Sequence, residues 1–387
     1  MNTFLLTTCR EMRFFGLWNG NHPVTLQRIP EKELPGSIYI GTVSNISRNI
    51  KAAFVSFGEE TDGFLSLEDG PFLRADGAVV QEIKTGDSLL VQVTKEAAGI
   101  KPPTLSGHIT LTGHRCILTA LHNKISVSAK IRDSAWRKNA KEHFATYCGD
   151  DYGFILRTES YQAAEEEIAA EMTTLAARYQ ELKQKAAFRK EKSLLKKGES
   201  SYLKALVGMN AGQLDQIVTD LPEIAEDLKE KLAYVRPDLA PLVRVYEGSP
   251  SLAVVYAVDA ELDRALQRKV YLPCGGYLII DPTEAMTVID VNSGKNSLNK
   301  TGQEAFLAVN REAAREVCRQ IRLRNLSGII VVDFVNLKRE EDRQELGSIL
   351  AEELRKDPVP AQLVDFTGLY LAEITRKKVY KPLREQL

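Results

Sequence analysis

The stretch from residue 277 to 334 constrains this chain most. It reads Tyr277-LIIDPTEAMTVIDVNSGKNS, then a polar segment, then Arg324-NLSGIIVVDF. The runs Met286 to Ile289 and Ile329 to Val332 are β-branched and aliphatic and bounded by turn formers, which predicts two buried strands. Each run ends on an aspartate, Asp290 and Asp333. Between them Thr301 and Glu304 have capping-box spacing, and Phe306, Ala313, Val317 and Ile321 repeat at helical period. Gly328 supplies the stop before the second strand. Strand, helix and strand with short joints predict parallel neighbours whose right-handed crossover brings both strand ends to one edge. Ligands of open α/β sheets bind at such an edge.

Two carboxylates at one edge repel unless a cation lies between them. Mg²⁺ suits carboxylate oxygens and keeps waters for substrate and nucleophile. Asn292, two residues past Asp290, points to the same side of an extended chain and can orient a carboxylate or a phosphate. Acidic residues that merely end buried strands would give the same pattern, so the residues alone leave both readings open.

Composition narrows the class. The chain has 387 residues, 44% hydrophobic and 27% charged, with a net charge of −1. Buried cores and more than one domain are expected, and any nucleic-acid surface must be locally basic. Cys9, Cys116, Cys148, Cys274 and Cys318 are scattered without a CxxC, so reduced thiols and a cytoplasmic location are expected. No apolar run is long enough to span a bilayer. Ser293-Gly294-Lys295 lacks the earlier glycine of a P-loop, and the histidines show no ligand spacing.

Along the chain, Phe4-LLTT and Met12-RFFGLW alternate apolar and polar residues around an Asn19-Gly20-Asn21 turn and predict a hairpin. Ser37-IYIGTVSNI, Ala52-AFVSF, Gly63-FLSL, Ser88-LLVQVTK and His108-ITLTG predict the five strands of an OB-type barrel. Residues 161 to 197 carry Ile168, Met172, Leu175, Tyr179 and Leu182 at helical spacing. The basic run Lys183-QKAAFRKEKSLLKKG reads more readily as a solvated helix face than as an RNA groove.

TEAMTVIDVNSGK followed at this spacing by RQIRLRNLSGIIVVDF resembles the catalytic region of the ribonuclease E/G family, and GTVSNI…AAFVSFG…DGFLSL resembles its S1 RNA-binding domain. The resemblance runs from the first strand to TRKK near residue 378. It implies a mixed α/β, multidomain fold: an RNase H-like subdomain in two parts (1–35 and 201–265), interrupted by an S1-like barrel (36–115) and a 5′-sensor-like region (116–200), then a DNase I-like catalytic subdomain (266–387). It implies an Mg²⁺-dependent endoribonuclease of RNA processing or decay, with Asp290 and Asp333 as metal ligands and Asn292 beside them. Single-stranded RNA is the implied partner, gripped by Phe54, Phe64 and Lys101, although core packing of the phenylalanines stays open. Pro102 stands where relatives have glycine next to the lysine.

Tyr152-GFILRTES resembles the family's 5′-monophosphate pocket, which implies sensing by Arg157 and Thr158. Here Ser126, Ala129 and Pro360 replace a glycine and two arginines, so only a weak sensor is expected. Without the family's CPxC pair no zinc-linked tetramer is expected, and a homodimer stays open. Two other classes compete: a non-catalytic RNA-binding family member, and a metal phosphoesterase acting on DNA.

Overall fold

The first strand of the chain finds its partners far along the sequence. Asn2–Cys9 pairs antiparallel with Met12–Asn19 on one side and parallel with Gln216–Thr219 on the other. The full sheet runs Val243–Val245, Gln216–Thr219, Asn2–Cys9, Met12–Asn19, His22–Arg28. The expected single hairpin is therefore a three-stranded meander. Its first turn is Arg10-Glu11, with φ of 50° and 61°, the paired left-handed conformation of a tight hairpin turn without the usual Asn-Gly signature. The computed structural model describes residues 1–97, 101–209, 212, 214–294 and 303–387. They divide into two compact units: Met1–Pro30, Ala205–Ala233 and Pro237–Leu387 form one, and Glu31–Lys204 with Tyr234–Arg236 form the other.

In the second unit, Ile38–Ser47, Ala52–Ser56, Gly63–Ser66, Thr104–Ser106 and Ser88–Lys95 hydrogen-bond in that order, and Ile38–Ser47 also pairs with Ser88–Lys95. The ladder thus closes on itself into a five-stranded barrel consistent with an S1/OB-type fold. Val43, Val55, Leu65, Leu89, Val91 and Leu105 fill its interior. The fifth strand differs from the sequence-based expectation. Thr104–Ser106 closes the barrel, whereas Thr110–Thr112, from the His108-ITLTG run, joins a separate four-stranded sheet with Cys116–Ala120, Tyr152–Leu156 and Ile125–Val127. A three-residue strand just after Pro102-Pro103 leaves too little alternation to read. The helix Glu165–Phe188 buries Ile168, Met172, Leu175, Tyr179 and Leu182 in one core with Leu118, Phe154 and Leu156 of that sheet.

In the first unit, a six-stranded sheet runs Lys269–Tyr271, Tyr277–Pro282, Met286–Asn292, Gly328–Asp333, Ala372–Arg376, Ala361–Phe366. Ile289, Ile330, Val332, Ala313, Val317 and Ile321 share one fully buried cluster, which places the helix Gln303–Leu323 on one sheet face. Burying each Val or Ile side chain contributes about 1.5–3 kcal/mol, enough to fix register and facing. The capping box read at Thr301 and Glu304 cannot be compared, because Thr301 lies outside the described residues. At the other end the helix closes on Asn325, with φ 51° and its N–H bonded to the Arg322 carbonyl at 3.2 Å, ahead of Gly328. Asn tolerates the left-handed cap almost as Gly does, so the stop is shared between the two residues. Arg376 locks this turn from below, bonding Asn325 Oδ1 at 2.7 Å and the buried Asp357 at 2.8 Å.

Candidate active site

The two aspartate-ended strands are parallel neighbours with Asp290 in register with Asp333. Adjacent strands lie about 4.8 Å apart, so the two carboxylates rise side by side from one face. Alternation explains which face. Along Met286–Asn292 the side chains of Thr287, Ile289 and Val291 are buried, while Met286, Val288 and Asp290 are exposed. Along Gly328–Asp333, Ile330 and Val332 are buried and Asp333 is exposed. The helix covers the inner face, and the aspartates stand on the open one.

Asn292 is where its spacing predicts. Its Nδ2 donates to Asp290 Oδ2 at 2.6 Å, which fixes one carboxylate oxygen and leaves the amide carbonyl of Asn292 as an acceptor. No lysine or arginine among the described residues forms an ion pair with either aspartate. Past Asp333 the chain is pinned from the helix: Asn310 Nδ2 donates to the Val335 carbonyl at 2.6 Å and the Val335 N–H returns to Asn310 Oδ1 at 3.0 Å. A buried Asn that satisfies both backbone groups holds the Asp333 end still.

These side chains are tested against a metal by their chemistry. Two carboxylates and an amide carbonyl are hard oxygen donors, and Mg²⁺ binds through one or two carboxylates while keeping waters. The set fits Mg²⁺. Among the described residues no group of three or more His, Cys, Asp and Glu forms a fuller metal cage.

Other charges near the stretch are spent inside the protein. Arg268 is bound bidentately by Asp281 at 2.5 and 2.6 Å, a pairing that lowers the Asp281 pKa and raises that of Arg268. Arg264 is paired with Glu261. Arg322 and Arg324 place positive charge just before the second strand in the sequence, but both are buried, and burial lowers the Arg324 pKa to about 10. As small residues, Gly275-Gly276 would on sequence alone allow close backbone approach to a phosphate. The close approach is instead to the chain itself: a Cβ at Gly276 would lie 2.7 Å from the Asn292 carbonyl oxygen, and one at Gly294 would lie 2.2 Å from that of Gly275. The glycines let the turn pack against the end of the Asp290 strand. Two tyrosines absent from the sequence-based set, Tyr271 and Tyr277, share the open face with Asp290, and only the cross-strand register with Asn292 brings them there.

On the barrel, Phe54 and Phe64 are cross-strand partners with ring centroids 6.4 Å apart, edge to face. Both are half-buried, while the alternate residues Val55 and Leu65 fill the interior. Period two therefore puts the two rings on the outer wall. Exposed Lys101 precedes the segment that runs beside Phe64, whose N–H bonds the Pro103 carbonyl at 2.7 Å.

Arg157 and Thr158 follow the strand Tyr152–Leu156. The Arg157 Nη1 donates to the Gly113 carbonyl at 2.7 Å and its Nε lies 3.6 Å from the Glu159 carboxylate. Thr158 Oγ1 donates to that same carboxylate at 3.3 Å. Ser126 pairs with Ile155 beside this strand. Sequence reading passed over Glu159, although it directly follows the two residues singled out.

The fold and site define a mixed α/β protein that has both a five-stranded barrel consistent with an S1/OB-type fold and an aspartate-edged sheet. The sequence model of the Ribonuclease E/G family matches residues 110–379. The chain is 33% identical over 350 residues to Ribonuclease E of Nostoc sp. strain PCC 7120, covering 89% of this chain and 51% of that one. It is 31% identical over 376 residues to Ribonuclease G of Salmonella typhimurium, covering 94% and 77%. It spans about half the length of the Ribonuclease E relatives from Nostoc and Synechocystis. The chain belongs to the ribonuclease E/G family.

Proposed function

We propose that this chain is an Mg²⁺-dependent endoribonuclease that cuts single-stranded RNA at the Asp290, Asn292 and Asp333 edge, in RNA processing or decay. The observation that carries the reading is the parallel register of Asp290 with Asp333 on an open sheet face. Asp290 and Asp333 would hold the metal, and Asn292 fixes the orientation of the Asp290 carboxylate through its 2.6 Å bond. When bound, Mg²⁺ supplies charge neutralisation at the phosphate and a water acidic enough to act as nucleophile. Hydrolysis by water rather than by the substrate's own 2′-hydroxyl leaves 5′-phosphate and 3′-hydroxyl ends. Phe54 and Phe64 offer two ring faces to unpaired bases, which suits a strand bound without strong sequence preference. Lys101 adds a point charge for phosphate, and Arg157 with Thr158 forms at most a weak site for a 5′-phosphate.

In this reading the five-stranded sheet is an RNase H-like subdomain drawn from 1–35 and 201–265. The barrel (36–115) and the sensor-like region (116–200) are insertions, and 266–387 is a DNase I-like catalytic subdomain. Among the described residues no helix is long and apolar enough to cross a membrane. Incubating 5′-labelled single-stranded RNA with the protein in Mg²⁺ or in EDTA tests the proposal. Internal cuts with 3′-hydroxyl ends in Mg²⁺ alone are the expected result, and cutting that persists in EDTA or leaves cyclic phosphates would overturn it.

A further inference from the structure

The open face of the six-stranded sheet carries more than the aspartates. Lys269, Ile279, Asp290 and Asp333 stand in one row across four strands, and Tyr271, Tyr277 and Asn292 stand in the next row. Directly paired cross-strand residues share a face, so the tyrosines lie on the same surface as the proposed catalytic groups. Tyr277 is one strand from Asn292 and Tyr271 is two strands from it, about 10 Å.

The side chains are arranged for a ligand that is both flat and anionic. Tyr271 is 72% exposed, unusual for a ring held in a strand. The Tyr271 and Tyr277 rings are 6.4 Å apart and inclined at 60°. The Lys269 ammonium lies 3.7 Å from the Tyr277 ring centroid and 4.7 Å from that of Tyr271. Its neighbour Arg268 is neutralised by Asp281, but Lys269 has only π faces for partners among the described residues. Held by rings, the ammonium keeps a full positive charge to offer outward, and quadrupole attraction fixes its place without cancelling that charge.

We propose that Lys269, Tyr271 and Tyr277 form a nucleotide subsite for single-stranded RNA next to the scissile phosphate. A base stacks on the Tyr271 ring, the phosphate of that nucleotide meets Lys269, and Tyr277 holds the ammonium between the two. The subsite rests on the reading of Asp290 and Asp333 as the cutting edge. Every base has a π face and every nucleotide a phosphate, so the subsite sets the path of the strand and not its sequence.

The test uses short single-stranded RNAs carrying 2-aminopurine at successive positions, titrated with the full chain in EDTA so that no cutting occurs. One position should be quenched on binding. Tyr271→Ala should weaken binding about tenfold and lose that quenching, Tyr271→Trp should keep both, and Phe54→Ala should spare the quenching at this position. Lys269→Gln should lower the slope of log affinity against log salt by about 0.7, one phosphate contact on a single strand. A folded Tyr271→Ala/Tyr277→Ala variant with unchanged affinity and quenching would overturn the subsite. Cleavage by Asp333→Asn in Mg²⁺ is measured in parallel. Its loss, with Tyr271→Ala binding as wild type, removes the subsite and keeps the cutting edge. Full cleavage by Asp333→Asn removes the cutting edge, and with it the place assigned to the subsite.

Discussion

The Asp290 edge and the Arg157 corner are both built from a charged residue at the end of a strand, yet they differ in how far that charge is satisfied. Asp290 takes one hydrogen bond from a neutral amide, and Asp333 faces it across the register without a cation among the described residues. Arg157 already has the Gly113 carbonyl at 2.7 Å and the Glu159 carboxylate at 3.6 Å. An incoming phosphate must compete with both. A like-charge pair left open attracts a divalent cation, whereas a guanidinium with a carboxylate beside it gains little from a second anion. The motif RTES thus has the right residues, and its third, Glu159, decides their strength.

The largest effect expected is at the edge. Asp290→Asn or Asp333→Asn should cut cleavage in Mg²⁺ by about a hundredfold or more with the melting temperature kept, since each removes charge where the phosphate develops it. Near-native cleavage by either folded variant would erase the contrast between the two regions.

The barrel supplies a second measure. Phe54→Ala or Phe64→Ala should weaken binding of single-stranded RNA by about 1–3 kcal/mol if bases stack there. The half-buried outer position of both rings means that affinity should fall more than stability does. A double variant that melts early but binds RNA normally would return the pair to a packing role.

At the corner the effects are smaller and run both ways. The ratio of kcat/KM for 5′-monophosphorylated over 5′-hydroxyl RNA should be about tenfold or less, equivalent to 1.4 kcal/mol, and Arg157→Ala should erase it while sparing internal sites. Glu159→Gln should raise the ratio by up to about fivefold, the worth of releasing an exposed ion pair. No change in Glu159→Gln would mean that the Gly113 carbonyl, not the carboxylate, holds Arg157 back.

The smallest expected effect is on stability against pH. His108 stacks on His122 at 4.8 Å, and burial followed by that neighbour lowers its pKa. The unfolded chain then binds the proton more readily than the folded one, so His108 contributes stability above pH 6.5 that is lost as pH falls through its folded value. Thermal melts from pH 7.5 to 5 should decline, and His108→Gln should flatten part of the slope. A slope unchanged in that variant would assign the decline to other groups.

Much of this was legible in the residues themselves. The runs that end on Asp290 and Asp333, the spacing of Asn292, and the buried stripe from Ile168 to Leu182 follow from periods of 2.0 and 3.6, which are properties of the local backbone. The alternation around Phe54 and Phe64 carried their outward direction as well, once Val55 and Leu65 are taken as core. What the sequence left open depends on partners distant in the chain. Thr104–Ser106 closes the barrel only because Gly63–Ser66 and Ser88–Lys95 present free ladder groups to it, and three residues carry no period to read. Arg322 and Arg324 look like positive charge beside the second strand until packing buries them, and Gly276 looks open to a phosphate until the Asn292 carbonyl occupies the space. Sequence determined which side of each strand is apolar, because that is set by neighbours two residues away. Tertiary structure alone decided which charges remain free to meet a ligand, because a charge is neutralised by whatever folding brings within a few ångströms of it.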